Sequence, residues 1–124
     1  MIKFVEKKSE WRLPDNVELR RVARIHRMGI GGFVDAIYLS SYENNSYSAW
    51  GVVIFNGEQI TVNKSEAVKV RLVQSFISSE SFKIGDKTSK GFVFDIIGNT
   101  IFICKKSDEK ELYTWKDAIK KFGR

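Results

Sequence analysis

The sequence predicts an α+β fold: an antiparallel sheet of about five or six strands, a helix over about 16–28 and a second helix over about 115–122. Three observations carry this. Residues 49–62, "AWGVVIFNGEQITV", and residues 91–106, "GFVFDIIGNTIFICKK", each set β-rich runs around a two-residue Gly/Asn turn. Near each end of the chain, a stretch of helical period begins at a capping residue and stops at a glycine. The runs "WGVVIF" and "FVFDII" are almost continuously apolar, which suits strands covered on both faces, or by a helix on one and a partner on the other.

Residues 2–5, "IKFV", read as a short strand or packed arm. In "LPDNVELRRVARIHRMG", Asp15 is the N-cap, Glu18 completes a capping box and Gly29 sits at the C′ position. Steps of 100° send Leu19, Val22, Ala23 and Ile25 to one side, together with His26. Arg20, Arg24 and Arg27, spaced i, i+4, i+7, form a stripe on the other side, with Arg21 beside it. "GIGG" follows as a joint, then a strand over 33–42 and a loop at "ENNS". Asn56-Gly57 is the pair preferred by a type I′ hairpin turn. Residues 63–78 read two ways: "NKSE" resembles a helix start, whereas "VKVRL" alternates as a strand does. A helix would set Lys69 amid an apolar face, so a strand is expected over 67–73. Gly98-Asn99 turns the second hairpin, "SDEK" turns the chain again, and "ELYT" adds a short strand. The last helix is capped by Thr114, carries Asp117 at N3 and ends at Gly123. Leu112, Trp115, Ala118, Ile119 and Phe122 share its apolar face. Both helices are expected to cover one face of the sheet. The likeness between the two hairpins reads as shared hairpin grammar rather than duplication, because identities between them are few.

At 124 residues the chain is expected to form one domain, residues 1–124, with enough core to need no disulfide or metal staple. Its one cysteine, Cys104, lies in the apolar run "TIFIC" and reads as an inert core thiol. That usage fits a reducing, cytoplasmic setting. The first residues, "MIKFVEKKSEW", carry acids and no long apolar stretch, unlike a signal peptide, and no run approaches the length of a membrane span.

Net charge is +6, from 21 Lys and Arg against 15 Asp and Glu, and it is unevenly spread. Residues 29–63 carry no Lys or Arg at all. A patchy basic protein favours an anionic partner.

No catalytic constellation stands out. His26 lies on the apolar side of its helix, and no nucleophile is placed to pair with it. Cysteine–histidine metal spacing is absent. Asp35 and Asp95 sit singly within apolar strands, without the acid-x-lysine element of a metal-dependent nuclease, and read as outward-facing or edge acids. The glycines of "GIGG" follow a helix and precede a strand, the reverse of a phosphate-binding loop, and read as a hinge at a helix terminus. No cofactor and no metal are expected.

Two surfaces remain. Between residues 12 and 27 every basic residue is Arg, the side chain that forks onto phosphate and stacks on planar groups. Arg20, Arg21, Arg24 and Arg27, helped by Lys69, Lys105 and Lys106, therefore point to a non-enzymatic nucleic-acid-binding module. The second surface is "YLSSYENNSYSAW", where Tyr38, Tyr42, Tyr47 and Trp50 alternate with small polar residues as in a recognition loop. It supports the alternative of a protein-binding inhibitor, of the immunity or phage anti-host kind, acting on an acidic surface. Sequestration of a small anionic nucleotide is the third reading. The apolar strands also leave room for a homodimer through a sheet face or edge.

Overall fold

A computed structural model of the chain describes residues 11–123. The arm expected at residues 2–5 lies outside them. The elements run α1 (Asn16–Arg27), β1 (Ile37–Glu43), β2 (Ser48–Val53), β3 (Glu58–Asn63), β4 (Val73–Ile77), β5 (Gly91–Ile97), β6 (Thr100–Lys105) and α2 (Trp115–Phe122). The fold is α+β, and the six strands form two antiparallel three-stranded sheets, ordered β1-β2-β3 and β4-β6-β5.

The single expected sheet divides at residues 67–72. This segment is extended, as its alternation predicts, but it runs between the sheets instead of joining a ladder. It meets β1 through an isolated parallel bridge, Tyr38 with Lys69, and meets Tyr113 through a second bridge at Val68. The strand proper starts at Val73. The expected "ELYT" strand reduces to that contact at Tyr113.

Both helices begin as the sequence dictates. In α1 the Asp15 side chain accepts from the Glu18 N–H (2.8 Å), and the Glu18 carboxylate accepts from the Asp15 N–H (2.9 Å). Gly29, at φ 80°, donates to His26 O (2.9 Å), and Ile30 donates to Ile25 O (3.0 Å). This pair of bonds is the Schellman closure that lets a helix end on glycine. In α2 Thr114 accepts from Asp117 N (3.3 Å) and Gly123 closes the helix. Leu112 lies before α2 and is exposed, so it does not share the helix's apolar face.

The helices cover opposite faces of the first sheet, not one. Leu19, Val22, Ala23 and Ile25 of α1 pack with Tyr38 and Val52 from that sheet and with Val73, Phe94 and Cys104 from the other. Ala118 of α2 packs with Leu39, one step along β1 from Tyr38, and with Val62 of β3, whose partner Ala49 alternates with Val52 along β2, so both lie on the reverse face. Leu19, Val22 and Ile25, fully buried, each contribute about 1.5–3 kcal/mol. The outer face of the second sheet carries Val93, Ile101 and Ile103 beside Phe76 of β4, and Phe82 and Trp11 pack over it. Continuous apolar strands are explained in this way without an outside partner. Among the described residues, no helix is long and apolar enough to cross a membrane.

The first hairpin departs from its expected turn. Val53 pairs with Glu58, so the loop spans four residues, 54–57. Only Gly57 has positive φ (78°), whereas a type I′ turn needs it at Asn56 as well. Ile54 decides this: it leaves the ladder, donates to Ala36 O (3.0 Å) and is fully buried beneath α1. The second hairpin keeps its two-residue turn, with positive φ at Gly98 alone (60°), the signature of a type II′ turn.

Candidate functional site

The helical period of α1 and the burial of its apolar side leave the arginine stripe facing outward. Arg20, Arg21, Arg24 and Arg27 line one groove of about 370 Å³, together with Val17 and the turn residues Asn56 and Gly57. The turn lies close: a Cβ added at Gly57 would come 3.4 Å from Arg27 Nη1.

The four guanidinium groups are not equivalent. Arg21 donates to Asp95 Oδ1 (2.9 Å). Arg24 donates to the Phe94 carbonyl (2.9 Å), with Asp95 at 3.9 Å. Asp95 does lie on an edge strand, β5, but it faces α1 instead of pointing outward. It is 8% exposed, and the irregularity in β5 pairing between Val93 and Asp95 sets it toward the helix. Arg20 and Arg27 have no carboxylate partner among the described residues. Among the described residues Asp95 is the one carboxylate bonded to the four, which leaves these four arginines and Asp95 with three positive charges in excess.

The lysines expected to assist do not line this groove. Lys105 and Lys106 border a second one, of about 580 Å³, with Trp11, Gln74, Lys90 and Ser107. Lys105 also reaches Glu109 (3.4 Å) and lies over the Trp11 ring. Lys69 belongs to neither: its ammonium stands 4.0 Å from Asp108. Strand geometry separates these residues from α1, a separation that charge counting cannot see.

The aromatic surface is dispersed as well. Tyr38 is fully buried and cannot meet a partner. Its hydroxyl donates to Asp108 Oδ2 (2.8 Å) and accepts from Val34 N (3.2 Å). Burial first, then the Asp108 bond, holds its pKa above the ordinary phenol value. Trp50 is half-buried on β2. Tyr42 and Tyr47 are exposed, and Tyr47 most of all, at 72%. Asn45 orders their loop by accepting from the N–H groups of Tyr47 and Ser48 (both 2.9 Å).

His26 meets Asp35 (Nε2 to Oδ1, 2.8 Å) and packs edge-on against Phe33. Asp35 and Asp95 thus serve separate partners. Among the described residues, no three His, Cys, Asp or Glu side chains gather as a metal-ion site.

"GIGG" holds a cation rather than an anion. Arg71, 1% exposed, donates through Nη1 to Gly31 O (2.8 Å) and Lys105 O (2.9 Å), and through Nη2 to Gly32 O (3.3 Å). Its Nε donates to Asp108 Oδ1 (2.7 Å), and its plane lies 4.0 Å from the Phe33 centroid. Gly31 and Gly32 have positive φ, 104° and 63°, which turns these carbonyls toward the guanidinium. The sequence offers a single trace of this network, an arginine set between two apolar residues, Val70 and Leu72. Cys104 is buried as expected, and burial pushes its thiol up to about 11. Comparison with protein-family models, with curated proteins and with solved structures finds no match to this chain.

Proposed function

We propose that the protein is a non-enzymatic, cytoplasmic nucleic-acid-binding module that holds the phosphate backbone in the groove between α1 and the β2–β3 turn. One observation carries this reading: among the described residues, four arginines share a groove lined by no carboxylate, and two of them have no carboxylate partner. Arg21 and Arg24, tied to Asp95 and Phe94 O, act as a fixed positive floor. Arg20 and Arg27 are left to fork onto phosphate oxygens. Binding of this kind releases counterions, so affinity falls steeply with salt. Fluorescence anisotropy with labelled DNA and RNA oligonucleotides tests it. The double variant Arg20→Ala/Arg27→Ala should bind more weakly and lower the salt slope by about two, one for each lost phosphate contact. Absence of binding at low salt, or a double variant that binds as well as the parent, overturns it.

A protein-binding inhibitor is the second reading, favoured by the exposed and ordered Tyr47. Such a partner would be captured from nuclease-treated lysate and lost with Tyr47→Ala, an aromatic truncation of the kind that dominates protein interfaces.

A further inference from the structure

We propose that the groove takes a single strand, with one base seated on the ring of Phe55 while Arg20 and Arg27 hold neighbouring phosphates. The proposal rests on the nucleic-acid reading above and narrows it to strands with unpaired bases. Phe55 is 55% exposed and stacks on no other ring among the described residues. A lone exposed aromatic is ordinary. This one adjoins Asn56 and Gly57, which line the arginine groove. Its exposure does not come from a loose loop either. Ile54 before it is fully buried, and Gly57 N donates to Val53 O (2.7 Å). Asn56 Oδ1 accepts from Glu58 N (2.9 Å), which ties the turn from within. That bond occupies the oxygen of Asn56 and leaves its amide N–H groups to donate to a base edge or a phosphate. The strand's alternation sends Glu58 away from α1, because its neighbour Gln59 faces the helix and accepts from Asn16 (2.8 Å).

An exposed ring one residue along the chain from a groove of fixed positive charge can combine stacking with backbone attraction, as single-strand sites do. In a duplex both faces of each base are already stacked, and a ring could enter only by prying open a step. Base stacking tolerates any sequence, so little sequence preference is expected.

The test uses three labelled probes of equal length: a single-stranded oligonucleotide, the duplex, and a single strand in which every site is abasic. Phe55→Ala should weaken the base-bearing strand roughly five- to 150-fold and leave the abasic strand unchanged. Phe55→Leu, which keeps apolar bulk without an aromatic face, should give a similar loss, and Phe55→Trp should restore binding. Arg20→Ala should weaken all three probes. If Phe55→Ala binds the base-bearing strand as the parent does, or the duplex binds more tightly than the single strand, while Arg20→Ala still weakens binding, the single-strand proposal falls and the groove reading stands. If no probe binds, or Arg20→Ala changes nothing, the groove reading falls and this proposal falls with it.

Discussion

Arg71 and Arg20 carry the same guanidinium into opposite surroundings. Arg71 is enclosed by the carbonyls of Gly31, Gly32 and Lys105, the Asp108 carboxylate and the Phe33 ring. Arg20 stands in an open groove with no carboxylate partner among the described residues. Between them lie Arg21 and Arg24, half-exposed and tied to β5, and Arg12, whose two terminal nitrogens both bond Glu18 (2.7 and 2.6 Å). The series teaches that a count of arginines says little about function. Asking which of them the chain's own acceptors already hold says more. A cation satisfied inside the fold supports the fold, and one left with water alone is available to an outside anion.

The sharpest way to break this contrast is Arg71→Ala. It removes the fully buried member of the pair and leaves the partly buried Asp108 without its main partner, and unfolding in urea should show a loss of about 3 kcal/mol. A loss below about 1 kcal/mol would mean that the core does not depend on the network. Alkaline pH probes the same region. The folded Cys104 thiol is held at about 11 against an ordinary 9.0, so its neutral form is favoured by the fold. The stability this brings is complete below about pH 9 and is lost as pH rises through 11, by an amount on the order of 2 kcal/mol. Tyr38, also raised, adds to the loss above about pH 10. Urea titrations at pH 8, 9.5 and 11 should show this decline, with a shallower first part in Cys104→Ala.

Asp95→Asn sharpens the middle of the series because its two effects have opposite signs. Stability should drop by about 1 kcal/mol, since Arg21 and Arg24 are half-exposed and keep much of their hydration. Affinity for polyanions should rise, because removing this carboxylate frees Arg21 and raises the excess charge of the groove. A fall in that affinity would show that Asp95 positions Arg21 for binding. The smallest effect on stability belongs to Arg20→Ala/Arg27→Ala, within about 0.5 kcal/mol by melting temperature. A larger loss would mean that these two arginines support the fold after all.

Legibility in the sequence follows the reach of each interaction. The caps of both helices, the glycine closure at Gly29 and the turn at Gly98 join residues within six positions of one another, and each could be read directly. The arginine stripe was equally legible, because it follows from 3.6-residue periodicity alone. Tyr38 misled: it belongs by composition to a recognition loop and by contact to the core. Lys105 and Lys106 misled by charge, since nothing local says which surface a strand end joins. Asp95 could not be assigned without knowing that Arg21, 74 positions earlier, would lie against it.

The sequence by itself determined which segments coil, where those helices start and stop and where the second hairpin turns, because those choices are made among near neighbours by dihedral preference, periodicity and capping. Only the tertiary structure decided that the strands divide into two sheets, that the helices cover opposite faces of the first, and that the turn at Asn56 and Gly57 meets the arginines while Arg71 is sealed away. Those outcomes depend on which distant groups exclude water from one another, and side-chain identity acquires its meaning only after that exclusion has occurred.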